Sequence, residues 1–533
     1  MTAGREAGAG AGALLDEPSE HDCLPGALRR AAALHPSVEA VVDSEHRLDY
    51  RALLVEVERV AAALLSRGVR PGDRVAVWAP NSVRWALAAL GVVHIGATLV
   101  PVNSRYRGEE AQGILARSGA VALFVEDGFL GTGYLSMLDG AEPLPLLHTR
   151  VSFTPTDLGL SWESFLDGSA TTDRTAVEGA SRAVGPDTLL QIMFTSGSTG
   201  KPKGVLQRHG QMVRTIATYT AGLRLRAGDR YLLVNPFFHG FGLNAGLYAC
   251  IIRGATALAV RRFDAGEALD LIERERVTGI PGPPTLYSSL LDHPARADRD
   301  ISTLRLAVTG ASVIPSQLIR RMRDELGFRD IVTAYGLTEA CGFATMCSPD
   351  DPDEVVEHTS GRAMPRVEVT IAAVDGSEHG EILVRGENIM FGYTDDPVAT
   401  AKAVDAEGRL HTGDLGYLDA DGNLHITGRM GDMFIVGGFN VAPAEVEEVL
   451  CRHPAVSEAA VIGVPDDRMG ESGQAFVVLR HRAEALGPDD LVAWCCTRLA
   501  NFKVPRTVAV VPELPRADTG KVDKAALRRR ATT

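Results

Sequence analysis

From Arg74 to about residue 340, apolar runs of strand length alternate with helix-patterned segments, and this alternation constrains the fold more than any other feature. Arg74 to Trp78 predicts a strand, Val83 to His94 a helix and Ala97 to Val102 a second strand. The rhythm continues through Val277 to Ile280, the helix-like Ser316 to Leu326 and the strand-like Ile331 to Ala334, with no internal repeat. Repeated βαβ units predict an α/β architecture. From Val367 the texture changes to short strands divided by turns, as at Glu381 to Val384, Asp419 to Gly422 and Leu424 to Thr427, which predicts a small β-rich subdomain. After Arg429 a compact α+β unit is expected. Pro443 opens a helix there, Val446, Val449 and Leu450 share one of its faces, and Ala459 to Val464 reads as a strand.

Length and composition exclude several classes of function. A chain of 533 residues predicts several domains, and 45% hydrophobic with 23% charged residues is an ordinary globular balance. Lys and Arg total 54 against 68 Asp and Glu, a formal charge of −14, which argues against a body that grips nucleic acid. Any bound polyanion must therefore meet a local site. The longest apolar stretch, Ala86 to Val102, is broken by Gly91, His94, Gly96 and Pro101, so no membrane span is expected. Thr2 to Ala13 is rich in Ala and Gly without the basic and apolar regions of a secretion signal, which predicts a flexible tail over residues 1–20 and a cytoplasmic protein. The seven cysteines are scattered and lack CxxC spacing, so buried, reduced thiols are expected rather than disulfides or zinc ligands. Nothing in the pattern sets an oligomeric state.

The most informative segment runs Thr195-Ser196-Gly197-Ser198-Thr199-Gly200-Lys201-Pro202-Lys203-Gly204, directly after the strand candidate Leu189 to Phe194. Glycines let backbone N–H groups turn toward a ligand, hydroxyls add donors, and lysines neutralise charge. A triphosphate needs all three. The segment is not a Walker A loop, because Pro202 stands where that motif requires its second glycine.

Further motifs follow in order: Tyr335-Gly336-Leu337-Thr338-Glu339, Thr412-Gly413-Asp414, Gly428-Arg429, Gly437-Gly438-Phe439-Asn440, Pro443-Ala444-Glu445-Val446-Glu447, and Pro515-Arg516 ahead of Gly520-Lys521. With the Thr195 to Gly204 loop, they resemble the adenylate-forming superfamily of acyl-CoA synthetases, luciferases and peptide-type adenylation domains. The resemblance covers nearly the whole chain beyond the tail. It implies a large N-terminal domain over 21–428, a hinge at 429–431 and a small mobile C-terminal domain over 432–533. It also implies two half-reactions, in which a carboxylate and ATP give acyl-AMP and a thiol then captures the acyl group.

The resemblance assigns roles residue by residue. Thr195, Ser196, Gly197, Ser198, Thr199, Gly200 and Lys203 would hold the β- and γ-phosphates, Thr338 the α-phosphate, and Glu339 a Mg²⁺ ion. Gly310, Ala311, Tyr335 and Gly336 would lie along adenine or the acyl pocket, and Asp414 with Arg429 would take the ribose. Lys521 would bridge the attacking carboxylate and the α-phosphate. The small domain would then swing about Gly431, where the family pattern leads one to expect Asp or Lys, and bring the loop Gly437, Gly438, Phe439 and Asn440 toward CoA.

Phe238 and His239, within Pro236 to Gly242, match the segment flanking the acyl carboxylate. Peptide-type adenylation domains place an aspartate in this segment to pair with an α-ammonium, and none occurs between Asn235 and Tyr248. The resemblance therefore implies an acid without an α-amine, while the small residues Gly310, Ala311 and Gly336 leave room for an apolar acid, fatty or alicyclic. The wording around His239, Pro281 to Thr285 and Asp292 to Pro294 resembles actinobacterial acyl-CoA ligases, some of which act on steroid-derived propanoates. Three readings compete: an ATP-dependent CoA ligase for such an acid, an enzyme that loads a carrier-protein phosphopantetheine, and a catalytically silent nucleotide-binding scaffold. Intact Glu339, Asp414, Arg429 and Lys521 count against the last.

Overall fold

The helix Val83–His94 and the strand Thr98–Pro101 occupy the longest apolar stretch, as its broken hydropathy predicts. Ser82 caps the helix by accepting the Trp85 N–H at 3.1 Å, and every helix residue but Arg84 is buried. Removing side chains such as Trp85 and Val92 from water stabilises the fold by about 1.5–3 kcal/mol each. The computed structural model describes residues 22–139, 142–195, 202–310, 318–373, 379–429, 433–479, 486–516 and 522–531. The expected tail over 1–20, residues Ser196, Gly197, Ser198, Thr199 and Gly200 of the loop, Ala311, Gly431 and Lys521 lie outside them.

Two large sheets carry the N-terminal part. In a nine-stranded sheet, Glu39–Val42, Thr256–Ala259, Arg230–Leu233, Gly279–Pro281, Leu306–Gly310 and Asp330–Tyr335 run parallel in that spatial order. In an eight-stranded sheet, Leu189–Thr195, Thr98–Pro101, Arg74–Trp78, Ala120–Val125, Thr149–Ser152 and Leu160–Ser161 run parallel. One continuous apolar cluster, including Trp85, Phe237 and Tyr248, joins the helices that both sheets carry. The parallel βαβ reading therefore holds, with antiparallel additions at the edges.

The β-rich subdomain is a four-stranded antiparallel sheet of Val367–Ala373, Gly380–Gly386, Leu410–Leu418 and Leu424–Arg429. Asp419 to Gly422 makes the turn between its last two strands, where the Asp419 carboxylate accepts the Asn423 N–H at 2.8 Å. After Arg429 the chain enters a separate sheet built from Phe434–Val436, Phe439–Val441, Val456–Asp466, Gly470–Leu479 and Thr507–Val510. The helix Pro443–Cys451 starts at its proline and buries Val446, Val449 and Leu450. One expectation needs correction: Cys451 and Cys496 are exposed, while the other five thiols are buried. Each exposed thiol ends a short helix one residue beyond a fully buried neighbour, Leu450 or Cys495. All seven are free.

Candidate active site

The strand Leu189–Thr195 turns back on Lys203–Arg208, and Thr195 pairs in register with Lys203. The described ends of the hydroxyl- and glycine-rich segment, Thr195 and Lys203, thus pair across an antiparallel hairpin, and both are candidate phosphate ligands. The Lys203 ammonium lies 4.9 Å from the Tyr393 ring centre, and the Tyr393 hydroxyl donates to Glu339 Oε1 at 2.9 Å. A cation, a phenol and a carboxylate from three separate segments meet here. Gln207, from the same hairpin strand, donates to the Thr338 carbonyl at 2.7 Å and ties that strand to the Thr338–Ala340 turn. Sequence reasoning missed Tyr393 and Gln207, because neither lies in a recognisable motif.

Gly310 and Tyr335 end adjacent parallel strands, and Gly310 pairs with Ala334. The carboxyl ends of parallel strands open the crevice in which α/β proteins bind ligands. Tyr335 is buried, and its hydroxyl donates to Asp414 Oδ2 at 2.6 Å. Asp414 in turn pairs across the β-rich sheet with Arg429. Three motifs about 80 and 15 residues apart in sequence are therefore brought side by side. Gly336 is required by space: a Cβ there would lie 2.1 Å from the Gly342 carbonyl oxygen, so the turn toward Thr338 and Glu339 closes only on a residue without a side chain.

A cleft of about 1260 Å³ opens between the large N-terminal part and the small C-terminal sheet. Arg105, Arg107, Arg261, Arg262 and Arg468 line it, a local excess of cations on an acidic chain. Gly437 and Gly438, at φ 56° and 86°, form the two-residue turn of a hairpin whose Val436 and Phe439 pair. That turn delivers Phe439 into the cleft, 6.5 Å from Phe238 and 6.1 Å from His239 between ring centres, with the Arg105 guanidinium 5.0 Å away. Asn440 sits opposite Ile435 on the hairpin and is exposed, outside the residues that line the cleft. His239 caps a short helix by accepting the Phe241 N–H at 3.2 Å, and burial holds its imidazole down to about 4. At neutral pH it is an uncharged, shaped wall.

Mg²⁺ suits these residues. The ion is commonly held by one or two carboxylates together with substrate phosphates, and Glu339, fixed by Tyr393 beside Lys203, supplies such a carboxylate. Among the described residues no group of three or more His, Cys, Asp or Glu could hold a metal on its own, so phosphate oxygens would complete the shell. No helix among them is long and apolar enough to cross a membrane.

A cation, a phenol and a carboxylate meeting beside the carboxyl ends of parallel strands, with Phe439 of the C-terminal sheet set against Phe238 and His239, form the candidate site. The chain belongs to the AMP-binding enzyme family, which matches residues 28–394, with the AMP-binding enzyme C-terminal domain matching 445–521. It is an AMP-forming acid–thiol ligase, which joins a carboxylic acid to CoA through acyl-AMP and releases AMP and pyrophosphate. It is 47% identical over 512 residues, 95% of this chain and 98% of the relative, to a 3-[(3aS,4S,7aS)-7a-methyl-1,5-dioxo-octahydro-1H-inden-4-yl]propanoyl:CoA ligase of Rhodococcus jostii (strain RHA1).

Among solved structures, it resembles a double mutant of Bacillus subtilis o-succinylbenzoate CoA synthetase bound with its product analogue OSB-NCoA. The TM-score is 0.81 at 29% identity, covering 96% of this chain and 98% of that one. The same synthetase in complex with the acyl-adenylate intermediate OSB-AMP scores 0.67 at 29% identity, covering 97% and 98%.

Proposed function

We propose that this ligase activates an alicyclic propanoic acid of the fused-ring type named in its Rhodococcus relative, and that the pose described above is the one that forms the thioester. The observation that carries the pose is Phe439 seated against Phe238 and His239 across an arginine-lined cleft. The higher TM-score with the product-analogue complex than with the acyl-adenylate complex of one synthetase supports it.

A carboxylate is a poor electrophile, so its oxygen must first be joined to a phosphate that can leave as AMP. Both partners are anions, and the chain's task is to neutralise and align them. Thr195 and Lys203, with Ser196 to Gly200 of the same loop, would hold the β- and γ-phosphates, and Thr338 the α-phosphate. When bound at Glu339, Mg²⁺ would supply further charge neutralisation to the phosphates. Tyr335 would lie against adenine and aim Asp414 at the ribose, with Arg429 assisting and Gly310, Ala311 and Gly336 lining the crevice. Lys521 would neutralise charge between the acid and the α-phosphate.

After adenylation the small domain would swing at 429–431, between the sheets that end at Arg429 and begin at Phe434, with domain limits of 21–428 and 432–533. Gly437, Gly438 and Phe439 would then form one side of the thiol's path, Asn440 would border it, and neutral His239 would pack beside the carbonyl. The arginines that line the cleft would meet the phosphates of CoA. ATP and CoA are cytoplasmic metabolites, and the free cysteines suit a reducing compartment.

The test offers fused-ring, fatty and aromatic acids to the purified chain with ATP, Mg²⁺ and CoA, and scores pyrophosphate release and thioester mass. Preference for fused-ring propanoates supports the reading, and equal turnover of simple fatty acids refutes the substrate class. Lys521→Ala is expected to collapse acyl-AMP formation and to spare thioester formation from supplied acyl-AMP. Equal loss of both would remove Lys521 from its role.

A further inference from the structure

Lys503 is a lysine with almost no exposure, and it joins the two domains. Its side chain is 1% exposed, and its ammonium lies 2.6 Å from Glu445 Oε1 in its own domain and 2.9 Å from Glu110 Oε1 in the large domain. The Tyr106 ring centre is 4.4 Å away, a cation–π contact on the large-domain side. Both carboxylates are about nine-tenths buried, at 10% and 11% exposure. Glu110 is the third residue of the helix Gly108–Ser118, and Glu445 is the third of Pro443–Cys451. Two helix N-termini, each with partial positive charge, therefore approach one another with a carboxylate on each and a single ammonium between.

Two facing carboxylates would repel in a site this dry, and a lone buried lysine would cost several kcal/mol. Together, one ammonium and two carboxylates leave a net charge of −1, which the two helix N-termini offset in part. Each half also has a partner of its own. Lys503 has Glu445, and Glu110 Oε2 accepts the Arg107 backbone N–H at 2.9 Å, so the large-domain carboxylate is held ready whether or not the small domain is docked. By contrast, another cross-domain ion pair, Arg452 with Glu109, is 3.2 Å long and exposed at 53% and 66%, where such pairs contribute little.

We infer that Lys503 is a positioning residue that pins the small domain in its thioester-forming pose through Glu110, without touching acid, nucleotide or thiol. The inference deepens the functional reading above and rests on it for the kinetic half of its test. Glu110→Gln removes the cross-domain charge and keeps both the helix-capping shape and the Lys503–Glu445 pair. Acyl-AMP formation, read as ATP–pyrophosphate exchange, should stay within about twofold, while thioester formation from isolated acyl-AMP and CoA should slow about tenfold or more. Lys503→Arg, which keeps the charge but enlarges a fully packed group, should show the same split to a lesser degree. Glu109→Gln should change neither.

Docking is also read without any substrate. Hydrogen exchange of the ligand-free chain should quicken in peptides covering 105–112 and 500–506 in Glu110→Gln, and not in Glu109→Gln. Equal slowing of both half-reactions, wild-type thioester rates in both Glu110→Gln and Lys503→Arg, or unchanged exchange in those peptides would each overturn the latch. If none of the acids offered supports pyrophosphate exchange by the wild-type protein, the substrate reading fails, and the hydrogen-exchange result still decides the latch.

Discussion

The pair formed by Tyr335 and Asp414 offers a clean perturbation, because one atom can be removed without disturbing packing. Tyr335 is 8% exposed and its hydroxyl reaches Asp414 at 2.6 Å, so Tyr335→Phe deletes the O–H and leaves the ring in place. A hydrogen bond to a charged group contributes about 1.5–3 kcal/mol. Asp414 is only half-buried, which favours the lower figure of about 1.5 kcal/mol, or roughly a 12-fold weaker hold on ATP.

The assay is ATP affinity by equilibrium titration, together with kcat from pyrophosphate release, for Tyr335→Phe, Asp414→Asn and the double variant. If the phenol acts by aiming the carboxylate at ribose, Tyr335→Phe should weaken ATP binding about 12-fold in the native background and under twofold once Asp414 is Asn. kcat at saturating ATP should change little. A coupling below about 0.3 kcal/mol in this cycle, or a fall in kcat with unchanged affinity, would refute the reasoning.

Two further outcomes are expected. Gly336→Ala forces a methyl group into the Gly342 carbonyl and the Phe343 backbone, 2.1 and 2.6 Å away, and should lower adenylation about 100-fold or more, whereas Gly113→Ala, in a helix with open space around it, should leave activity intact and raise the melting temperature slightly. His209 is fully buried, accepts the Leu24 N–H, and is held down to about 3 by desolvation. Since the unfolded chain takes up this proton below about 6.5 and the native chain does not, stability falls as pH drops from about 6.5 toward 3, at about 1.4 kcal/mol per pH unit. Thermal melts of His209→Asn should lose about 2 kcal/mol less than wild type between pH 7 and pH 5, and parallel curves would contradict this assignment.

Much of this architecture was legible because its cues are local. The apolar period announces Val83–His94 and Asp330–Tyr335, and Pro443 announces the start of its helix. The motif residues likewise lie in short strings, so Thr195, Tyr335, Glu339 and Asp414 could be singled out before their neighbours were known. What joins them was not legible, because pairing between distant segments leaves no periodic trace. Tyr393 reaching Glu339, and Phe439 reaching His239 from 200 residues further on, are products of tertiary packing. Lys503 had one faint cue: a single charge inside the otherwise apolar Phe502-Lys503-Val504-Pro505.

The capping bond from Arg107 to Glu110 has a consequence for wear in repeated use. An interface whose groups are satisfied only when closed must break local structure every time it opens. Here Glu110 keeps its own helix cap and Lys503 keeps Glu445, so parting the domains would leave a bonded partner on each side. If the proposed swing opens this seam in every cycle, no segment on either side has to refold before the next acid enters.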